Sequence, residues 1–366
     1  MSSSPNGGLN RSVSRLIARA SDTLLPERTV SQLRERREWH TWVDSLGADT
    51  LADLSGAAMQ IKRELFARHV ALVEVETHAR CNRVCSFCPN SIVDRRRNRV
   101  VTDVDLLRRV FAELGAIGYA RQIKVARYSE PLTNPHLHER IADARRLAPQ
   151  AQLTVVTNTD YLSRAVVDQL LGAGLNILYM SIYLKAGEQW SLPLAQRYTG
   201  QLGEKLGLKA VSQKATAVSL ICLYEYRGLL LRSACMDFDR YGTDRGGAVA
   251  QYMNETRLGP CREPFETFVI DYTGAVMPCC NLRSDIPEQV SCAVGDLSHP
   301  AASIFDVYAG ALSSWRRSMV TFGAKAAPCT TCRHRDVHPD LAKSVARRLD
   351  GRLRSLNHLA GSVQSR

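Results

Sequence analysis

Residues 81–88 read CNRVCSFC, a C-x3-C-x2-C spacing just beyond a predicted strand. Thiolates this close in sequence can converge on one soft metal centre. Three is the informative count. A structural zinc site closes with four ligands, commonly from paired C-x2-C knuckles, and no fourth ligand stands near Cys81, Cys85 and Cys88. A [4Fe–4S] cluster held by three thiolates leaves one iron open to bind and act on a small molecule. Zinc and inert thiols stay open on spacing alone.

A second constellation lies far downstream: Cys261, the pair Cys279-Cys280, Cys292, and Cys329-x2-Cys332. The stretch Glu266–Tyr272, then Thr273-Gly274, then Ala275–Pro278 reads as a β-hairpin with Gly274 allowing the turn. That hairpin is expected to bring Cys261 and Cys279 onto adjoining strands, with Cys329 and Cys332 closing the site from a later loop. Four thiolates saturate one [4Fe–4S] cluster, and a zinc ribbon on the same four ligands is the alternative. Alternation turns Cys280 away from Cys279. Cys280 is then either inert packing or a hydrogen-atom donor. Cys222 and Cys235 sit in apolar contexts and read as core.

The elements that must position these residues alternate in type. Strands are expected at Ala71–Thr77, Gln122–Arg127, Gln152–Thr157, Asn176–Tyr183 and Thr216–Leu223, with helices at Asp103–Gly118, Pro135–Leu147 and Ser163–Gly174. This order predicts a parallel sheet with right-handed crossovers, whose ligand site lies at the carboxyl ends of the strands. Cys81, Ser129–Pro131 and Asn158 follow the first, second and third strands.

The triad, with Phe87 just before its last cysteine, resembles the signature of the radical S-adenosylmethionine (SAM) superfamily. The longer string Glu76-Thr77-His78-Ala79-Arg80-Cys81-Asn82 through Cys88-Pro89 resembles members carrying a C-terminal SPASM or twitch module. The resemblance covers residues 71–335. It implies an α/β fold, a partial (β/α)6 TIM-type barrel, with a small Cys-rich α+β module and helical extensions at both ends. The expected divisions are 1–70, 71–248, 249–335 and 336–366. It further implies SAM on the open iron of the Cys81/Cys85/Cys88 cluster, reductive cleavage to a 5′-deoxyadenosyl radical, and one auxiliary [4Fe–4S] cluster on Cys261, Cys279, Cys329 and Cys332. Tyr128-Ser129-Glu130-Pro131 stands where the family has Gly-Gly-Glu-Pro, so both glycines are lost. Thr157-Asn158-Thr159 stands where it has Thr-Asn-Gly. Phe87, Ser129, Glu130, Asn158 and Ser181 are the implied SAM-binding residues.

The resemblance implies a dehydrogenase or epimerase of a polar, aminocyclitol- or sugar-like substrate, served by an external one-electron reductant of the flavodoxin or ferredoxin type. A maturase of ribosomally made peptides is the rival enzyme, against which the all-helical reading of residues 1–70 weighs. Bulk properties bound the rest. The chain has 366 residues, 45% hydrophobic, and a formal charge of +12, which suits an anionic substrate or another anionic partner. A basic metal-cluster protein binding nucleic acid is the non-enzyme reading, disfavoured by an aromatic content of 7%. The basic tract Asp94–Arg99 and the arginines of a helix over Leu341–Leu359 read as solvated surface. A helix is also expected at the amino end, with Leu9, Val13, Leu16, Ile17, Ala20 and Leu24 on one face and a stop at Pro26. With no secretory signal pattern and no run of about 18 apolar residues, a reducing, cytoplasmic location is expected, and the 11 cysteines read as ligands or thiols.

Overall fold

The computed structural model describes residues 27–364, with side chains over residues 32–357. The amino-terminal helix expected over residues 9–24 and the stop at Pro26 lie outside the described residues. Helices α1 (Glu27–Ser45) and α2 (Met59–His69) lead into a ten-stranded sheet. Strands β1 (Leu72–Val75), β2 (Gln122–Val125), β3 (Gln152–Thr157) and β4 (Ile177–Ile182) pair in parallel and in sequence order. Their crossovers carry α3 (Val104–Ala116), α4 (Leu137–Leu147) and α5 (Arg164–Gly172). Two of these helices start at side-chain caps that satisfy orphan N–H groups: Asp103 accepts from Leu106 N and Ser163 from Val166 N.

Past β4 the chain departs from simple alternation. Helix α6 (Leu192–Leu206) is followed by β5 (Ser212–Thr216), β6 (Ser219–Tyr226) and β7 (Leu229–Met236). The strand expected at Thr216–Leu223 straddles the β5–β6 turn. Ala217 and Val218 make that turn, and neither carries the glycine or proline that marks one in a sequence. The three strands are antiparallel among themselves, and β7 returns parallel to β4.

The sixth parallel strand comes from the other end of the chain. Strand β8 (Thr267–Ile270) pairs parallel to β1, and β9 (Ala275–Met277) turns back antiparallel on β8. The parallel barrel strands therefore run β8-β1-β2-β3-β4-β7, a partial TIM-type barrel whose Cys-rich module is continuous with the barrel sheet. Gly274 turns the hairpin at φ +93°, and the Asp271 carboxylate accepts from Thr273 N and Ala275 N. Cys261 is not on an adjoining strand. It precedes the helical turn Glu263–Glu266, because Pro264 fits the first turn of a helix, where a missing N–H costs nothing.

Strand alternation sorts the residues onto two faces. Val73, Val75, Ile123, Val125, Leu153, Val155, Leu178 and Met180 are at most 1% exposed and pack under the helices. The register places Glu74, Lys124 and Thr154 side by side on the opposite face, which lines the barrel. Helix α7 (Pro339–Gln364) packs Leu341, Val345 and Leu349 against Trp39, Trp42 and Val43 of α1 and against Phe265, bracing the Cys-rich module. Of its arginines, Arg348 pairs with Asp44 and Arg352 donates to the Leu46 carbonyl.

Candidate active site between two cysteine clusters

Cys81, Cys85 and Cys88 lie on the loop after β1 and open onto a cavity of about 310 Å³. Cys280 and His334 line the same cavity from the C-terminal module. Burial pushes the Cys81 thiol up to about 11 and Cys85 to about 12, and raises Cys88. Alone, the three would stay protonated. A bound metal centre supplies the positive charge that three buried thiolates require.

Cys261, Cys279, Cys329 and Cys332 line a second, small cavity together. Burial raises all four thiols, and Cys279 is raised further by its thiol neighbours. Arg257, 2% exposed, cages this site, donating to the carbonyls of Gly259, Pro260, Cys332 and His334. A buried cation beside four thiols suits a centre that carries net negative charge. The donor sets thus fit a three-thiolate and a four-thiolate iron–sulfur centre. Cys279 and Cys280, adjacent in sequence, face different cavities.

The implied SAM-binding residues gather at the strand ends, but largely through each other. Glu130, 2% exposed, accepts from Thr157 Oγ1 (2.6 Å), Asn158 N (2.6 Å) and Leu132 N (3.1 Å). Burial raises its carboxyl despite these bonds. Asn158 Nδ2 donates to Asn82 Oδ1 at 2.8 Å, joining the β3 loop to the triad loop. Thr159, where the family has glycine, holds the left-handed φ of +70°. Ser129, Glu130 and Asn158 line the cavity with Phe87. Ser181 is not among its lining residues. It bonds instead to Tyr183, whose ring does line it. Phe87 stacks on Phe238 (3.8 Å between centroids, 10° between planes), and with Tyr183 they form a wall shared with an outer groove of about 860 Å³.

Buried ion pairs hold the two halves of the site together. Glu76 accepts from Tyr128 N (2.9 Å), Ser129 N (2.8 Å) and Arg95 Nη1 (2.8 Å). Arg95 also donates to Asp285, which Arg283 grips twice, and Arg283 reaches Asn90 Oδ1 on the triad loop. Arg95 is therefore not the solvated surface expected of the Asp94–Arg99 tract. It is wholly buried. Asp94 and Arg96 do lie exposed around it.

Several cavity residues escaped the sequence reading: Glu74, Lys124, Arg127, Arg245 and His334. Lys124 pairs with Glu74. Burial pulls the Lys124 ammonium down, but the Glu74 carboxylate together with Cys280 and Glu263 outweighs it and the net direction is upward. Glu74 Oε2 is buried without a partner. His334 Nε2 lies 3.6 Å from Cys280 Sγ and 3.2 Å from Glu263 Oε1. Polar residues alternating along the strands (Glu74 and Glu76 in ALVEVET, Lys124 in QIKVAR) were the available signal.

Residues 75–187 match the family model of the Radical SAM superfamily, and the chain carries a radical SAM domain. One curated relative, the S-adenosyl-L-methionine-dependent 2-deoxy-scyllo-inosamine dehydrogenase of Niallia circulans, is 30% identical over 105 residues, covering 29% of this chain and 42% of the relative. The match thus spans less than half of that relative's length. Among solved structures, BtrN in complex with AdoMet and 2-DOIA aligns with a TM-score of 0.50 at 20% identity, over 72% of this chain and 93% of that one. That likeness is one of fold.

Proposed function

We propose that the chain is a radical SAM dehydrogenase that oxidises a hydroxyl-bearing carbon of a small polar substrate held between two iron–sulfur clusters. One observation carries this reading: the three-thiol loop and the Cys280 side of the C-terminal module open onto a single cavity. The name of the Niallia circulans relative supports dehydrogenation. When bound, SAM and the clusters supply a 5′-deoxyadenosyl radical and an acceptor for the second electron.

The chain's own residues hold the substrate and move its proton. Glu74 is the base: its Oε2 is buried and unpartnered, and Lys124 holds the other side of the carboxylate. Oxidation of C–H and O–H to C=O releases one hydrogen atom, one electron and one proton, and Glu74 accepts the proton. The Phe87, Tyr183 and Phe238 wall separates the cavity from the outer groove and limits water.

The test is anaerobic reconstitution of the full chain, with iron and sulfide counts, a 5′-deoxyadenosine assay, and turnover of a cyclitol panel that includes 2-deoxy-scyllo-inosamine. About eight irons per chain and a carbonyl product support the reading. Four irons with one zinc, or no reductive SAM cleavage, overturn it. Glu74→Gln should abolish carbonyl formation and spare deoxyadenosine.

Cys280 lining the cavity favours a second reading, epimerisation, in which its thiol returns hydrogen to the opposite face of the substrate. Deuterium entering product from D2O selects that reading; an unlabelled carbonyl product excludes it. The external one-electron reductant and a reducing, cytoplasmic location belong to the same proposal, in keeping with 11 cysteines that are all free thiols. No helix among the described residues is long and apolar enough to cross a membrane.

A further inference from the structure

The charges around the inner cavity do not cancel. Lys124 is matched by Glu74, Arg83 by Asp160 and His334 by Glu263. Glu130 is occupied by Thr157 and by two backbone N–H groups. Arg127 and Arg245 remain. Each is tethered to the segment just after Cys280, Arg127 through the Leu282 carbonyl and Arg245 Nη1 through Asn281 Oδ1 at 2.9 Å. Beyond those tethers, Arg127 Nε and Nη1 and Arg245 Nε are buried with no acceptor. A buried donor left unmade is costly, and more so on a charged group.

The backbone at Arg245 is also held in a costly shape. Its φ is +52°, followed by Gly246 at +65° and Gly247 at +81°. A side chain in the left-handed region costs about 1–2 kcal/mol, which is why glycine usually occupies it. Gln289 Nε2 clamps the turn by donating to the Arg245 and Gly246 carbonyls (2.8 and 3.0 Å). The outcome is a guanidinium lining a cavity whose two carboxylates, Glu74 and Glu130, bond to Lys124 and to Thr157 and backbone N–H groups rather than to Arg245.

We propose that Arg127 and Arg245 form a clamp for an anionic group, a carboxylate or phosphate, on the substrate. Two guanidinium forks satisfy the oxygens of such a group with charge-assisted hydrogen bonds. The clamp is tethered to the segment after Cys280, and Arg245 also lies within electrostatic reach of Cys88 on the triad loop. This rests on the radical SAM reading for the identity of the cavity, and it makes the substrate acidic.

The experiment uses anaerobically reconstituted full chain and two probes, myo-inositol 1-phosphate and myo-inositol, titrated calorimetrically with SAM present. The phosphorylated probe should bind at least tenfold more tightly, and Arg127→Gln with Arg245→Gln should remove that preference while leaving SAM affinity and iron content unchanged. Arg245→Lys should retain part of it. Equal binding of both probes by the unmodified protein overturns the clamp. So does loss of SAM affinity in the double variant, which would assign the arginines to the methionine carboxylate. A shift in cluster reduction potential without any change in probe binding also overturns it, assigning them to cluster charge. If the protein fails to cleave SAM yet keeps the arginine-dependent preference, the radical reading falls and the anion site stands.

Discussion

Tyr128 Oη donates to the Cys280 carbonyl at 2.8 Å, tying the loop after β2 to the segment that faces the cavity from the C-terminal module. Tyr128 stands where the family pattern has glycine, so the lost glycine has become a brace between the two halves of the site. Tyr128→Phe keeps the ring and removes the bond, leaving a carbonyl without its partner. The expected loss is about 1 kcal/mol of stability, read as a lower midpoint in urea with unchanged iron content.

The Glu76–Arg95 pair predicts a sharper asymmetry. Both side chains are fully buried, so Arg95→Met alone strands a carboxylate and should cost about 3–5 kcal/mol. Glu76→Gln with Arg95→Met removes both charges and should recover much of that loss. Denaturant unfolding of the single and double variants measures the difference; equal losses would refute the electrostatic account.

Thr159 predicts a stabilising change. Its φ of +70° burdens a β-branched residue, and glycine adopts this conformation freely. Thr159→Gly should gain about 0.5–1 kcal/mol, the relief of about 1–2 kcal/mol being offset by glycine's greater unfolded-state entropy. A raised thermal midpoint is the readout.

His69 predicts acid sensitivity. Burial, with Arg68 nearby, lowers its pKa to about 4, and its Nε2 meets Thr50 Oγ1 at 3.3 Å. A base with a depressed folded-state pKa favours folding above its unfolded value of about 6.5, and that contribution is lost as the pH falls from there to about 4. His69→Gln should flatten the pH dependence of unfolding over this window.

The helices at 104–116 and 164–172 and the first four strands were legible because their apolar spacing and caps are local. Helix α6 and strand β7 were not read. Pro193, Gly200 and Gly203 interrupt the helical pattern, although Pro193 sits at the helix start where it is tolerated. The expected solvated run at Asp94–Arg99 failed at Arg95 alone, because a charged residue flanked by exposed charges carries no local mark of burial.

What the sequence determined by itself was the three-thiol loop, since a chelating turn needs only a few consecutive residues, and the order of strands that carries Glu130 and Asn158 to one end of the sheet. Tertiary structure alone decided that this loop shares a cavity with Cys280, that β8 closes beside β1, and that Glu74, Lys124, Arg127, Arg245 and His334 meet in that cavity. These residues are separated by long stretches of chain, and their approach depends on barrel curvature and on buried charge pairs. Neither leaves a periodic trace in the residues between them.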